Sequence, residues 1–170
     1  MITLRRASAA DALALSRVAE ATFRTAFAAA TTAADMDRHC ALRFGVRQQG
    51  EEIAAPSLET WLAMDGEAIA GFAQLRCHVR PRCVSAASAC EVQRLYVETR
   101  FHGKGVAAPL MDACIDSARG HGTAALWLGV WERNLRAIAF YAKCGFVEVG
   151  EQVFPLGGDL HRDLVMARPV

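Results

Sequence analysis

Residues 100–107, RFHGKGVA, place two glycines two apart among cations and directly before an apolar run. A glycine-rich turn that opens a helix is a phosphate-binding device. Glycines let the backbone approach a pyrophosphate with no Cβ in the way, and the helix start aims free N–H groups and a positive dipole end at it. Arg100 and Lys104 add charge. Further along, NLRAIAFYAKCGF sets Asn134 and Tyr141 seven residues apart, two helical turns, so that they share one face with Ile138 between them. A core tyrosine bonded to backbone is the alternative use of such a phenol.

For these groups to act together, a strand must deliver the chain to the turn and helices must follow it. Residues 2–6 read as a short strand, and a helix entered near Ser8 carries Leu15, Val18, Ala19, Thr22, Phe23 and Phe27 at helical spacing. A loop over 28–34 leads to a second short helix entered at Asp35, DMDRHCALRF. From Leu58, Asp65-Gly66 between two apolar runs predicts a hairpin, and after a loop around Pro81 SACEVQRLYVE predicts another strand. The turn then opens a helix through about Arg119, ended by GHG at 120–122. AALWLGVW is a buried strand by its apolar density, the Asn134 helix stops at Gly145, and FVEVGEQVF with HRDLVMA closes the chain as two strands around Gly157-Gly158. Pro109 falls near the first helical turn, where its missing N–H is tolerated.

Composition narrows the classes. At 170 residues, 53% hydrophobic and 22% charged, the chain suits a single globular domain over 1–170. A net charge of +1 with scattered arginines supplies no field for nucleic acid, and no apolar run approaches membrane-spanning length. The start, MITLRRASAADALALSRVAE, lacks the form of a secretory signal, so a soluble cytoplasmic protein is expected. Cys40, Cys77, Cys83, Cys90, Cys114 and Cys144 show no CxxC spacing and no His pair at ligand spacing; they are expected to be free, mostly buried thiols, with no metal site.

Three phosphate ligands compete for the turn. A Walker loop fails because Val106 follows Gly105 and offers no hydroxyl to magnesium. Gly103, Gly105 and Ala108 satisfy the dinucleotide pattern GxGxxA, but a dinucleotide fold needs further strand–helix units, and only a terminal hairpin follows the next helix. The third ligand is coenzyme A. RLYVETRFHGKGVAAPLM resembles the R/Q-x-x-G-x-G/A signature of the GNAT superfamily of acyl-CoA N-acyltransferases, with Arg100, Gly103 and Gly105 in the signature positions. NLRAIAFYAKCGF resembles its second segment through Asn134, Ala137, Tyr141, Lys143, Gly145 and Phe146.

The resemblance implies an α/β (α+β) GNAT fold, a mixed central sheet of about seven strands flanked by four helices, with acetyl-CoA as co-substrate. It implies that Arg100, His102, Gly103, Lys104, Gly105, Val106 and Ala107 hold the diphosphate end, although the His102 side chain, like Glu98 and Glu132, reads as surface or structural. Backbone of Leu95, Tyr96 and Val97 would pair with the pantetheine, one N–H polarising the thioester carbonyl, while Asn134, Ala137 and Lys143 line the coenzyme. Acetyl transfer to an amine needs a neutral amine, a stabilised oxyanion and a proton for the departing thiolate. Tyr141 is the implied acid and Glu91 the implied base, acting through water; pairing with Arg94 is the competing use of Glu91.

The ending FPLGGDLHRDLVM resembles the F-x-L-G-x-D-x-Q-x-D-x-x-M ending of the bacterial spermine/spermidine acetyltransferase branch through Phe154, Leu156, Gly157, Asp159, Asp163 and Met166, with His161 in place of Gln. TFRTAF, WLGVWERN and the Trp61 region are similar to that branch too. A small-molecule amine acceptor follows, with a polyamine as the particular candidate, and a homodimer as the candidate assembly. A cationic acceptor calls for carboxylates in the cleft, for which Glu20, Glu91 and Asp159 are in view. An acyl-CoA sensor without catalysis and a protein N-acetyltransferase are the other readings.

Overall fold

The computed structural model describes residues 1–170. Its strands are β1 (Ile2–Arg6), β2 (Leu58–Asp65), β3 (Ala68–Cys77), β4 (Ala89–Val97), β5 (Ala125–Trp131), β6 (Val147–Leu156) and β7 (Asp159–Pro169). Its helices are α1 (Ala12–Phe27), α2 (Ala33–Arg43), α3 (Val46–Ala54), α4 (Ala107–Gly120) and α5 (Leu135–Lys143). The strands form one sheet in the order β1-β2-β3-β4-β5-β7-β6, antiparallel except where β4 meets β5. No helix is long and apolar enough to cross a membrane.

Two apolar layers cover the sheet. On one face α4 and α5 bury Leu110, Met111, Cys114 and Tyr141 against Leu75, Val92, Leu126 and Leu128. On the other, the helical stripe of α1 places Leu15, Ala19 and Phe23 with Cys40 and Phe44 over Leu62, Phe72 and Leu156. The Ser8 backbone N–H and hydroxyl both donate to Asp11 Oδ2, at 2.8 and 2.9 Å, and Asp11 also binds Arg5, which ties β1 to the entry of α1.

The β4–β5 pairing governs the site. Parallel strands need a crossover, supplied here by α4. Only three rungs form, Ala89 with Ala125, Cys90 with Leu126 and Glu91 with Trp127. A bulge in β4 at Gln93, where the β3 register slips between Gln74 and Leu75, bends the strand just beyond that last rung. From there β4 and β5 part, and the edge of β4 facing β5 is left unpaired through Val97.

Three sequence expectations are corrected. There are five helices, not four: VRQQGEEIA offers only Val46 and Ile53 as large apolar residues around Gly50, and polar contacts help to hold α3. The buried Gln49 donates from Nε2 to the Arg43 carbonyl at 2.9 Å, and Glu52 accepts from Arg94 Nη1 at 2.6 Å and from Gln74 Nε2 at 3.1 Å. The second helix starts at Ala33, because Thr32 caps it by accepting from the Asp35 N–H at 3.2 Å. The six cysteines are not all free: Cys77 and Cys90 are bonded. They are 13 residues apart in sequence, and the β3–β4 register sets them side by side, a neighbour relation that spacing alone does not reveal.

Candidate active site

The turn after β4 is anchored from below and open above. Phe101 and Val106 are buried, while Gly103, Lys104 and Gly105 stand exposed. Gly103 and Gly105 take φ of 73° and 78°, and open space surrounds the Cβ position of each; glycine is needed for the backbone conformation, not for room. The N–H groups of Gly103, Gly105, Val106, Ala107 and Ala108 find no acceptor in the protein, and no side chain caps α4. This row of unsatisfied donors at a helix start is built to receive an anion. Pro109, third in α4, removes an N–H that has no intrahelical partner there.

The cations around the turn divide their work. Arg100 donates from Nε to Glu98 at 2.7 Å and lies over the Phe101 ring at 4.7 Å. Lys104 is exposed, its ammonium 5.8 Å from the same ring. The His102 ring bridges the end of β4 to α5: Nε2 bonds the Val97 carbonyl at 2.8 Å, and Arg136 Nη1 donates to Nδ1 at 2.6 Å. Arg136 is a neighbour of the turn that the motifs did not single out; nothing in its position on α5 signals a partner 34 residues away.

The parted strands form a wedge with the turn at its mouth. Leu95, Tyr96 and Val97 are half-buried along its β4 wall; Leu95 and Val97 pack toward α4 and α5, and the Tyr96 ring lies tilted against Phe72 on the opposite face, at 5.8 Å. Asn134 caps α5 by accepting the Ala137 N–H at 3.2 Å, and Lys143 is exposed in the last turn of the same helix. Tyr141, 8% exposed, packs edge-on to Phe146 at 6.0 Å. Its hydroxyl makes no hydrogen bond to the protein, so it is not the backbone-bonded core tyrosine. Burial, reinforced by Tyr96 and the Cys114 and Cys144 thiols, raises its pKa well above that of a free phenol. Burial likewise pushes Tyr96 up to about 12.

Glu91 sits at the last rung before the strands part, 9% exposed. Its Oε2 accepts from Arg76 Nε at 3.0 Å and Nη2 at 2.6 Å. Arg94 is not its partner; it is held by Glu52 and by Gln74 Oε1 at 2.7 Å. The structure does not gather Glu20, Glu91 and Asp159 into one cluster: Glu20 holds Arg24, Glu91 holds Arg76, and Asp159 stands exposed at the tip of the β6–β7 hairpin. The carboxylate that does lie inside is Asp163 on β7, 9% exposed, with Oδ1 occluded and unpartnered. The sequence signal for it was an acidic residue on the inward phase of a strand, in step with Val165 and Ala167.

A strand pair parted by a bulge, with an anion-receiving turn beyond it, is what an acyl-CoA-dependent transferase requires. Residues 21–146 match the model of the Acetyltransferase (GNAT) family, and the chain belongs to that family. An uncharacterized N-acetyltransferase of Lactobacillus delbrueckii subsp. lactis is 30% identical over 152 residues, covering 89% of this chain and 87% of the relative. An uncharacterized N-acetyltransferase of Mycobacterium tuberculosis is 42% identical over 78 residues, 46% of this chain and 50% of the relative. The crystal structure of PaiA N-acetyltransferase from Thermoplasma acidophilum in complex with coenzyme A superposes with a TM-score of 0.78 at 18% identity, covering 100% of this chain and 99% of that one. The mixed sheet and its flanking helices are thus the GNAT fold, and the protein is an acetyltransferase that works with acetyl-CoA.

Proposed function

We propose that the protein moves the acetyl group of acetyl-CoA directly to the primary amine of a small molecule within a ternary complex, a polyamine being the acceptor in view. The observation that carries this reading is the row of unbonded N–H groups at Gly103 and from Gly105 to Ala108 beyond the unpaired end of β4, supported by a Tyr141 hydroxyl that makes no hydrogen bond to the protein. In this reading the turn receives the diphosphate, with Arg100, His102 and Lys104 around it. The unpaired edge of Leu95, Tyr96 and Val97 binds the pantetheine as an added strand would, and one of its N–H groups polarises the thioester carbonyl. Asn134, Ala137 and Lys143 border the arm from α5.

The amine nitrogen attacks the carbonyl carbon, the C–S bond breaks, and Tyr141 gives its proton to the sulfur. The adduct's nitrogen loses a proton through water to Glu91, whose Oε2 is already taken by Arg76, and solvent restores the phenol. The raised pKa of Tyr141 keeps the acid charged with its proton throughout the neutral range. Direct transfer is supported by the nearby thiols: burial pushes Cys114 up to about 12 and raises Cys144, so neither supplies a thiolate for a covalent intermediate. The ending that resembles the spermine/spermidine branch supports the polyamine.

Steady-state kinetics of Tyr141→Phe test the assignment. The expected result is a fall in kcat of about 10²–10⁴-fold with acetyl-CoA affinity unchanged. Full turnover by the variant would remove Tyr141 from the mechanism.

A further inference from the structure

Asp163 lies where β7 passes the open end of the wedge. In register it faces Trp131, the last residue of β5. Across the wedge, Tyr96 on the β4 wall is near enough to feel the charge of Asp163. The carboxylate is therefore at the height of the β4 backbone that carries the thioester in the reading above, on which this inference rests.

The room that a side chain at Gly129 would take is filled from the neighbouring strands. A Cβ at Gly129 would lie 2.6 Å from Gln152 Nε2 and 3.3 Å from Asp163 Oδ2, so two polar groups converge where β5 has no side chain. Asp163 accepts no hydrogen bond from the protein, and its Oδ1 is fully occluded. On the same face, two residues back, His161 Nε2 is also occluded and unpartnered, its ring edge-on to Trp131 at 5.8 Å. Trp131, Phe27 and Phe154 continue this face as an aromatic wall, with centroids 5.4 and 6.0 Å apart.

Buried charges in folded proteins are paired. Asp163 has no such partner here. Burial alone sets its acidity, pushing it up to about 6. The groups that face it are Tyr96 from β4 and His161 on β7, while β5 and β6 contribute only Gly129, Trp131 and Gln152. The nearest cation acting on Tyr96, Arg94, is committed to Glu52 and Gln74. The missing partner is a cation brought from outside, and the aromatic wall suits an alkylammonium chain.

We infer that Asp163 is the docking carboxylate for the acceptor: it receives a primary alkylammonium ion and takes one of its protons, so that the nitrogen arrives beside the thioester uncharged. The step balances as R–NH3⁺ and carboxylate giving R–NH2 and carboxylic acid, the proton later leaving to solvent. Glu91, farther in, deals only with the proton lost after attack.

The test compares wild type with Asp163→Asn, using butylamine, putrescine and spermidine as acceptors. The expected result is a fall in kcat/KM of about 100-fold or more for all three. The acid limb near pH 6 should disappear from the profile, with acetyl-CoA affinity and thermal midpoint at pH 7.5 not reduced. A merely structural Asp163 would lower the midpoint and leave KM and the pH profile alone; that outcome, or equal kcat/KM in the two proteins, overturns the inference. Wild type that binds acetyl-CoA yet acetylates none of the three counts against the small-molecule amine reading instead. Calorimetry with spermidine then decides the docking role: binding lost in Asp163→Asn supports it, and equal binding overturns it.

Discussion

At the residue scale the site is a set of groups held out of their ordinary state by burial. Tyr141 is kept protonated, the thiols beside it are kept as thiols, and Asp163 is kept short of a partner. The last has a measurable consequence for folding. Burial raises Asp163 from 3.8 to about 6, so the folded chain binds this proton more tightly than the unfolded one. Stability contributed by the protonated carboxyl is therefore full below about pH 4 and falls as pH rises through about 6. Thermal midpoints measured between pH 4 and 7 should decline less with rising pH in Asp163→Asn than in wild type; parallel curves would show that Asp163 is not desolvated. Asp163 was visible in the sequence as one position of an ending motif and, by strand alternation, in step with Val165 and Ala167. Its isolation depends on Gly129 and Gln152 in other strands, which no local pattern connects to it.

At the scale of elements, the turn and α5 could be read directly, because glycine conformation and helical spacing are local properties. Gly103 and Gly105 are the residues that a positive φ demands, and Asn134 caps the helix that carries Tyr141. Gly105→Ala forces a side chain into a left-handed conformation that costs about 1–2 kcal/mol. The expected outcome is weaker coenzyme A binding by calorimetry with the thermal midpoint lowered only modestly; unchanged affinity would mean that the turn does not shape the diphosphate site. What escaped the sequence was non-local. Helix α3 carries a short apolar face at Ile53, and the polar contacts of Gln49, Glu52 and Arg94 that hold it cross to other elements. The Cys77–Cys90 bond depends on strand register. Glu91 finds Arg76 directly across on β3 instead of Arg94 on its own strand, because the bulge at Gln93 sets Arg94 opposite Gln74, where Glu52 and Gln74 hold it.

At the scale of the whole molecule, the sheet makes the site by failing to close. Three parallel rungs and a bulge at Gln93 leave β4 without a neighbour on its β5 side just where the chain runs into the turn and α4. Apolar patterning and turn residues foretold the seven strands, and glycine spacing foretold the turn. The wedge itself is a product of sheet twist and register, beyond the reach of periodicity. The central claim is that coenzyme A completes this unfinished edge. Amide hydrogen exchange of the protein with and without coenzyme A tests it most directly. The account predicts new protection at Leu95 to Val97 and at Gly103 to Ala108. Binding that leaves those amides exchanging as before, or no binding at all, would contradict it.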